Sequence, residues 1–125
     1  MILTSVGPAN KVLGFGAGRL FETGSVTIER LQQLVLGDVG GLCFPRPGLS
    51  GAEARDLQSV QGRWTGLTLA QLETCASAAD RERTGVVVVC VGEDRASFIY
   101  EVLDRINQLI VDERLALALE DKLGA

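Results

Sequence analysis

The residue types that are present and absent limit the chemistry that this chain can perform. Its 125 residues include no histidine, which removes Ser-His-Asp and Cys-His catalysis and the commonest zinc ligand. An enzyme built from these residues would need carboxylate, lysine or thiolate chemistry, and no cluster in the sequence is arranged for it. We therefore predict no catalytic residue, no metal site and no cofactor in this chain.

The strongest chemical signal is the segment VVVVCVGEDRASF, residues 86–98, in which a run of valines ends at a glycine, two acids and an arginine. Consecutive apolar residues predict a strand that is covered on both faces, as in parallel sheets. After Gly92 the apolar positions follow helical spacing, so a strand-to-helix turn would present Gly92 and Arg95 at the ligand edge of a sheet. Arg95 either binds an anionic or hydroxyl-rich ligand there or pairs with the neighbouring acids.

A second candidate is Asp38, within the segment GDVGG at 37–41. We predict that this segment joins a helix to a strand. Asp38 then either caps the turn or accepts hydrogen bonds from ligand hydroxyls, and the two roles are compatible.

A third candidate is Arg19, which follows Gly14, Gly16 and Gly18. A dinucleotide-binding loop has its third glycine three positions after the second and then opens a helix, and neither feature is present here. We therefore predict a turn or a ligand-facing loop in which Arg19 is the anion-binding group.

Composition and charge narrow the class of protein. A chain of 125 residues is long enough for one compact domain, 1–125, and too short for two. The net charge of −4 argues against bulk electrostatic binding to nucleic acid or to an anionic membrane. Neither a signal peptide nor an apolar run of the ~18 residues that a membrane span needs is visible. Cys43, Cys75 and Cys90 are odd in number and widely spaced, which predicts free thiols in the reducing cytoplasm.

Strands and helices alternate along the chain, and this order predicts an α/β, Rossmann-like domain with a mostly parallel sheet flanked by helices. Strands are predicted at 2–6, 39–44, 63–67, 86–91 and 108–112. Helices are predicted at 27–36, after Ser50, at 68–80, at 94–106 and from 113 to a C-terminal cap at Gly124. Capping boxes are predicted at Ser50 with Glu53 and at Thr68 with Gln71, and Asp112 is predicted to cap the last helix.

Four of these stretches, taken in order, resemble the effector-binding domain of SorC/DeoR-type bacterial transcriptional regulators. They are SVTIERLQQLVLGDVGG at 25–41, RWTGLTLAQLE at 63–73, VVVVCVGEDRASFIYEVL at 86–103 and INQLIVDERLALAL at 106–119. The resemblance covers the C-terminal half of that sugar-binding domain and implies part of a glucosamine-phosphate deaminase/ribose-phosphate isomerase-like fold. It also implies a sugar or sugar-phosphate effector, a homo-oligomer, and DNA binding only through a helix-turn-helix domain absent from this chain.

The same resemblance implies roles for two of the candidates. Asp38 takes the position of the family's acidic ligand group, and Arg95 that of a lysine that meets the sugar or its phosphate. Arginine keeps the charge of that lysine but cannot form the Schiff base that some relatives make. The family's first half-domain, with its phosphate loop, has no counterpart here, so we expect a fragment of a longer regulator.

Two other classes of protein stay open. One is a small sugar-phosphate isomerase or deaminase-like enzyme. The other is a structural or oligomerisation module that has lost its pocket, which is favoured by Val91 and Val111 where the family pattern has a glycine and a threonine.

Overall fold

A computed structural model describes residues 1–9, 27–63 and 66–124. Contacts within the chain divide it into two compact units, of which the first comprises Met1–Val6 with Thr68–Ala125 and the second comprises Gly7–Leu67. The second unit is thus inserted, in sequence, between two parts of the first. That residues 1–125 form a single domain stays a prediction. Arg19 and the glycine loop before it lie outside the described residues.

Helices and strands alternate through most of the described chain. The elements, in chain order, are β1 (Ile2–Thr4), β2 (Val6–Pro8), α1 (Ile28–Leu34), β3 (Val35–Val39), β4 (Leu42–Pro45), α2 (Gly51–Gln61), α3 (Leu69–Ser77), β5 (Val86–Cys90), α4 (Ala96–Val102), β6 (Gln108–Val111) and α5 (Glu113–Leu123). Short 3₁₀ turns at Glu93–Arg95 and Leu103–Arg105 flank α4. None of the described helices combines the length and the apolar character needed to cross a membrane.

The first unit is a three-stranded parallel sheet flanked by helices, so an α/β architecture is confirmed. Its strand order is β1-β5-β6, with Ile2 opposite Val86 and Val87 opposite Gln108. β5 is the central strand and four of its five side chains are buried, as suits β-branched residues, but Val89 is 42% exposed. The prediction of a strand covered on both faces therefore holds only in part. The fully buried side chains of this unit are Leu72, Val86, Val88, Ile99, Val102 and Leu115. Each stabilises the fold by roughly 1.5–3 kcal/mol relative to an exposed position.

Local sequence signals set the ends of two helices in this unit. α3 begins with the predicted capping box, in which the Thr68 hydroxyl accepts a hydrogen bond from the Gln71 N–H and the Gln71 side chain accepts one from the Thr68 N–H. α5 ends at Gly124, whose φ of +74° is the left-handed conformation of a C-terminal cap. The helix predicted at 94–106 is present as α4 with its two flanking 3₁₀ turns.

A single asparagine connects the start of β5 to α3. The Asn107 side-chain oxygen accepts a hydrogen bond from the Val86 N–H at 2.7 Å, and its amide nitrogen donates to the Ala76 carbonyl at 3.1 Å. Gly85 lies directly beneath this side chain with φ +78°, and a Cβ there would lie 2.2 Å from the Asn107 oxygen. Only glycine therefore fits at position 85, in both backbone conformation and space.

The second unit contains strands of a second sheet: β3, β4 and the Gly7 and Pro8 part of β2, of which β3 and β4 are antiparallel. Gly40 and Gly41 join these two strands, and both have positive φ, as the tightest hairpin turns require. The buried core of this unit is Ala9, Leu31, Leu34, Val35, Cys43, Leu57 and Val60. The prediction of a mostly parallel sheet therefore holds for the first unit. The antiparallel pairing of β3 and β4 in the second unit was not predicted.

Three predicted boundaries in this part of the chain were wrong. The helix predicted at 27–36 ends at Leu34, and Val35 and Leu36 belong to β3. The predicted strand at 39–44 is instead β4, which begins at Leu42, so the GDVGG segment lies in a hairpin and does not join a helix to a strand. The strand predicted at 2–6 is broken into β1 and β2 at Ser5.

Two further predictions concern the capping box at Ser50 and the strand at 63–67. The capping box of Ser50 and Glu53 is present at the start of α2. Of the strand predicted at 63–67, the described residues Arg63, Gly66 and Leu67 lie in turns or irregular backbone, and the other two lie outside the described residues.

Candidate functional site

The carboxyl edge of the parallel sheet brings Gly92, Arg95 and Asp112 together. Gly92 and Arg95 follow the end of β5, and Asp112 follows the end of β6. Parallel neighbouring strands end at the same edge of a sheet, which is where α/β proteins bind ligands. Two of these three residues, Gly92 and Arg95, were predicted site residues.

Gly92 takes a backbone conformation that suits only glycine. Its φ is +101°, and a Cβ at this position would lie 2.7 Å from a carboxylate oxygen of Asp94 and 3.0 Å from Nη1 of Arg95. The side chains of Asp94 and Arg95 therefore fold back over the Gly92 backbone, and a larger residue would displace them.

Arg95 is held in place by two backbone carbonyls, one just after β5 and the other at Val6. Its Nη1 donates to the Val91 carbonyl at 2.6 Å, and its Nε donates to the Val6 carbonyl at 3.4 Å. Asp94 lies 3.4 Å from Nη1, and 32% of the Arg95 side chain is exposed. Within the described part of the chain Nη2 makes no hydrogen bond, so the guanidinium is positioned and keeps one nitrogen for another partner.

Asp112 does not cap its helix as predicted. It occupies the residue before α5, but its side chain makes no capping hydrogen bond, and Oδ1 instead accepts from the Gly92 N–H at 2.9 Å. The positive φ of Gly92 presents this N–H to the neighbouring strand end, and a contact so distant in sequence leaves no local pattern. Sequence reasoning therefore missed Asp112 as a residue of this edge.

The peptide group between Val91 and Gly92 is thus bound on both sides. Arg95 donates to its carbonyl and Asp112 accepts from its N–H. Burial raises the pKa of the neighbouring Cys90 thiol, an effect that Arg95 opposes and Asp112 reinforces. Cys90 is therefore a buried thiol whose ionised form is disfavoured.

Asp38 lies in the second unit, in β3, with only 4% of its surface exposed. Its Oδ2 accepts from the Gly41 N–H at 2.8 Å, so the carboxylate caps the hairpin turn, while Oδ1 has no hydrogen-bond partner among the described residues. Burial raises the pKa of Asp38, and the hydrogen bond from Gly41 lowers it. Burial and the neighbouring Asp38 carboxylate together raise the pKa of Cys43 to about 12.

The burial of Asp38 predicts a pH dependence of stability. Its folded-state pKa lies above the usual 3.8, so the folded state holds this proton more tightly than the unfolded state. The contribution of Asp38 to the free energy of unfolding therefore falls as the pH rises from 3.8 through the folded-state pKa, and is constant above it. We expect Asp38→Asn to gain stability relative to the wild type over that interval, as measured by urea unfolding at a series of pH values.

Glu29→Gln is the matched control, because Glu29 is an exposed acid in the same unit. Any pH-independent effect of the new amide changes the offset between Asp38→Asn and the wild type, and leaves the slope unaffected. If the free energies of unfolding of Asp38→Asn and the wild type differ by the same amount at every pH, the prediction is contradicted.

A cavity of about 640 Å³ lies at the opposite, amino edge of the same parallel sheet. It is bounded by Met1, by one face of α3 and by residues 82–85, and includes the half-buried Cys75. Gly92, Arg95 and Asp112 are not among its described lining residues, so the cavity and the Gly92–Arg95–Asp112 edge are separate features of the first unit.

Comparisons with known proteins yield no match to a family model, a curated protein or a solved structure. Within residues 1–9, 27–63 and 66–124, no group of three or more Cys, Asp or Glu side chains is arranged to hold a metal ion.

Proposed function

We propose that this chain is the effector-binding part of a sugar-sensing transcriptional regulator, and that the effector binds at the carboxyl edge of the parallel sheet. The resemblance of four sequence stretches to SorC/DeoR-type regulators suggests the class. The observation that carries the proposal is the Arg95 guanidinium, which is fixed by the Val91 carbonyl and has an unpaired Nη2. A group that is already ordered loses little further entropy when a ligand binds.

In this proposal Arg95 donates from Nη2 to a ligand oxygen, and Gly92 allows the ligand close to the backbone because it has no side chain. The same proposal includes the deaminase/isomerase-like fold, a cytoplasmic location and a homo-oligomer. It also includes the ligand-binding roles predicted for Asp38 and Arg19. The full-length protein would bind DNA through a separate helix-turn-helix domain, and the ligand would alter its operator affinity. In this proposal the chain binds its effector without turnover.

The test is a thermal-shift screen of the chain against free sugars, polyols and sugar phosphates. A ligand at a hundredfold excess over its dissociation constant stabilises a fold by about 2.7 kcal/mol, which is readily measured. We expect at least one ligand to raise the melting temperature, and Arg95→Ala to remove that increase.

Arg95→Ala also loses two hydrogen bonds to backbone carbonyls, so its own melting temperature should fall. The measured quantity is therefore the ligand-induced increase over each variant's own baseline. Arg81→Ala is the control, because Arg81 is an exposed arginine of the same unit. A ligand-induced increase that Arg95→Ala retains would place the binding site elsewhere.

The second candidate function is the structural or oligomerisation module. The hydrogen bonds from Arg95 to Val91 and Val6, and from Gly92 to Asp112, favour it, since they stabilise the edge without any ligand. This candidate predicts that Arg95→Ala lowers the melting temperature while no ligand in the screen raises that of the wild type.

A further inference from the structure

The charge at the carboxyl edge is unusual for a phosphate site. A carboxylate oxygen of Asp94 lies 3.4 Å from Nη1 of Arg95. The Asp112 carboxylate accepts a hydrogen bond from the Gly92 N–H, and Glu93 is the residue between Gly92 and Asp94. Three carboxylates thus accompany one guanidinium. Arg114, two residues beyond Asp112, is exposed and makes no hydrogen bond to this group within the described part of the chain. Like charges raise the free energy of a bound phosphate dianion, so this edge opposes it.

The backbone donor that a phosphate would need is also occupied. Phosphate-binding turns hold the anion with free backbone N–H groups, often at a glycine with positive φ. Gly92 is such a glycine, but its N–H already donates to Asp112 Oδ1 at 2.9 Å. A carboxylate of the protein itself therefore occupies the place of the anion.

The groups that remain unpaired suit a hydroxyl-rich ligand. In the described part of the chain, Nη2 of Arg95 is a donor without an acceptor, and Oδ2 of Asp112 is an acceptor without a donor. Hydroxyl groups both donate and accept, so a polyol can satisfy both atoms, whereas a phosphate dianion can only accept. A ligand that reaches both atoms has to span the Val91–Gly92 peptide group, because the C=O that accepts from Arg95 and the N–H that donates to Asp112 point in opposite directions. The separate hydroxyl groups of one polyol can do this.

We infer that the ligand of this edge is an uncharged sugar or polyol, and that its phosphate ester binds more weakly. The inference rests on the proposed function, because it specifies the ligand of the same site. Asp112 is then the residue that sets the preference, since it both accepts from a hydroxyl and repels a phosphate.

The test measures dissociation constants by isothermal titration for matched pairs: ribose with ribose 5-phosphate, fructose with fructose 6-phosphate, and glucitol with glucitol 6-phosphate. We expect the free member of the binding pair to bind at least roughly tenfold more tightly than its phosphate ester. Asp112→Asn keeps an acceptor for the Gly92 N–H but removes the charge, so it should weaken binding of the free sugar and strengthen binding of the ester. Glu120→Gln, which removes an exposed acid near the far end of α5, should leave the ratio unchanged.

The outcomes separate this inference from the proposed function. A phosphate ester that binds the wild type more tightly than its free sugar overturns the inference and leaves the effector-binding function standing. An unchanged ratio in Asp112→Asn overturns the role given to Asp112 and with it the inference. If no member of any pair binds, the proposed function fails and the inference falls with it.

Discussion

Gly85→Ala is expected to lower the free energy of unfolding by about 2–5 kcal/mol, although it adds one methyl group. Part of the loss is backbone strain, because alanine resists the φ of +78° at this position. The larger part is steric, since the new Cβ would lie 2.2 Å from the Asn107 side-chain oxygen and 2.7 Å from the Cβ of Ala79. Asn107 would have to move, and its hydrogen bonds to Val86 and Ala76 would weaken.

Two other glycines isolate the steric part of this effect. Gly48 and Gly124 have φ values of +76° and +74°, and no atom lies within 4 Å of a Cβ built on either. Alanine at these positions should therefore show only the backbone strain, roughly 1–2 kcal/mol. Urea unfolding followed by far-UV circular dichroism would give the three values. Equal losses at Gly85 and Gly48 would show that the contact with Asn107 does not constrain the fold.

Leu115→Ala is expected to lower the free energy of unfolding by about 2–5 kcal/mol. Leu115 is completely buried in α5, which packs against α4 and against the turn that carries Arg95. Shortening the side chain leaves a cavity that the surrounding helices fill only in part. Because Asp112 immediately precedes α5, a loosened helix should also weaken the hydrogen bond between Asp112 and Gly92.

Leu117→Ala is the matched control for Leu115→Ala. It changes the same residue type in the same helix, but 58% of Leu117 is exposed. We expect its effect to stay within about 0.5 kcal/mol, since surface substitutions rarely exceed that. Comparable losses at the two positions would mean that α5 does not pack as described.

The parts of the fold that the sequence predicted correctly are those with local causes. The two capping boxes at Ser50 and Thr68 require only residues three positions apart, and the helix end at Gly124 requires a residue that tolerates positive φ. The valine run of β5 likewise carries its own signal, because its length and branching favour a buried strand over a helix.

The errors arise where a distant partner decides the local structure. Val35 and Leu36 extend the apolar spacing of α1, yet pairing with β4 makes them a strand. Asp112 stands at a helix start, where aspartate normally caps, yet the N–H of Gly92 binds its carboxylate. Arg95 was placed correctly at the end of β5, but its bond to the Val6 carbonyl joins residues 89 positions apart. No spacing rule contains such contacts, so the position of Arg95 in the fold was predictable and its hydrogen-bond partners were not.

The pairing of β1 with β5 also bears on how the protein is made. These two strands are separated by about 80 residues of chain, so β1 leaves the ribosome long before β5 is synthesised and its parallel partner exists. Closing so long a loop slows folding, and the apolar edge of an unpaired strand attracts other nascent chains in the meantime. The second unit, Gly7–Leu67, lies entirely between β1 and β5 in sequence. It can therefore form its β3–β4 hairpin before β5 is available to pair with β1. Translation speed and chaperone supply should therefore affect the yield of the first unit more than that of the second.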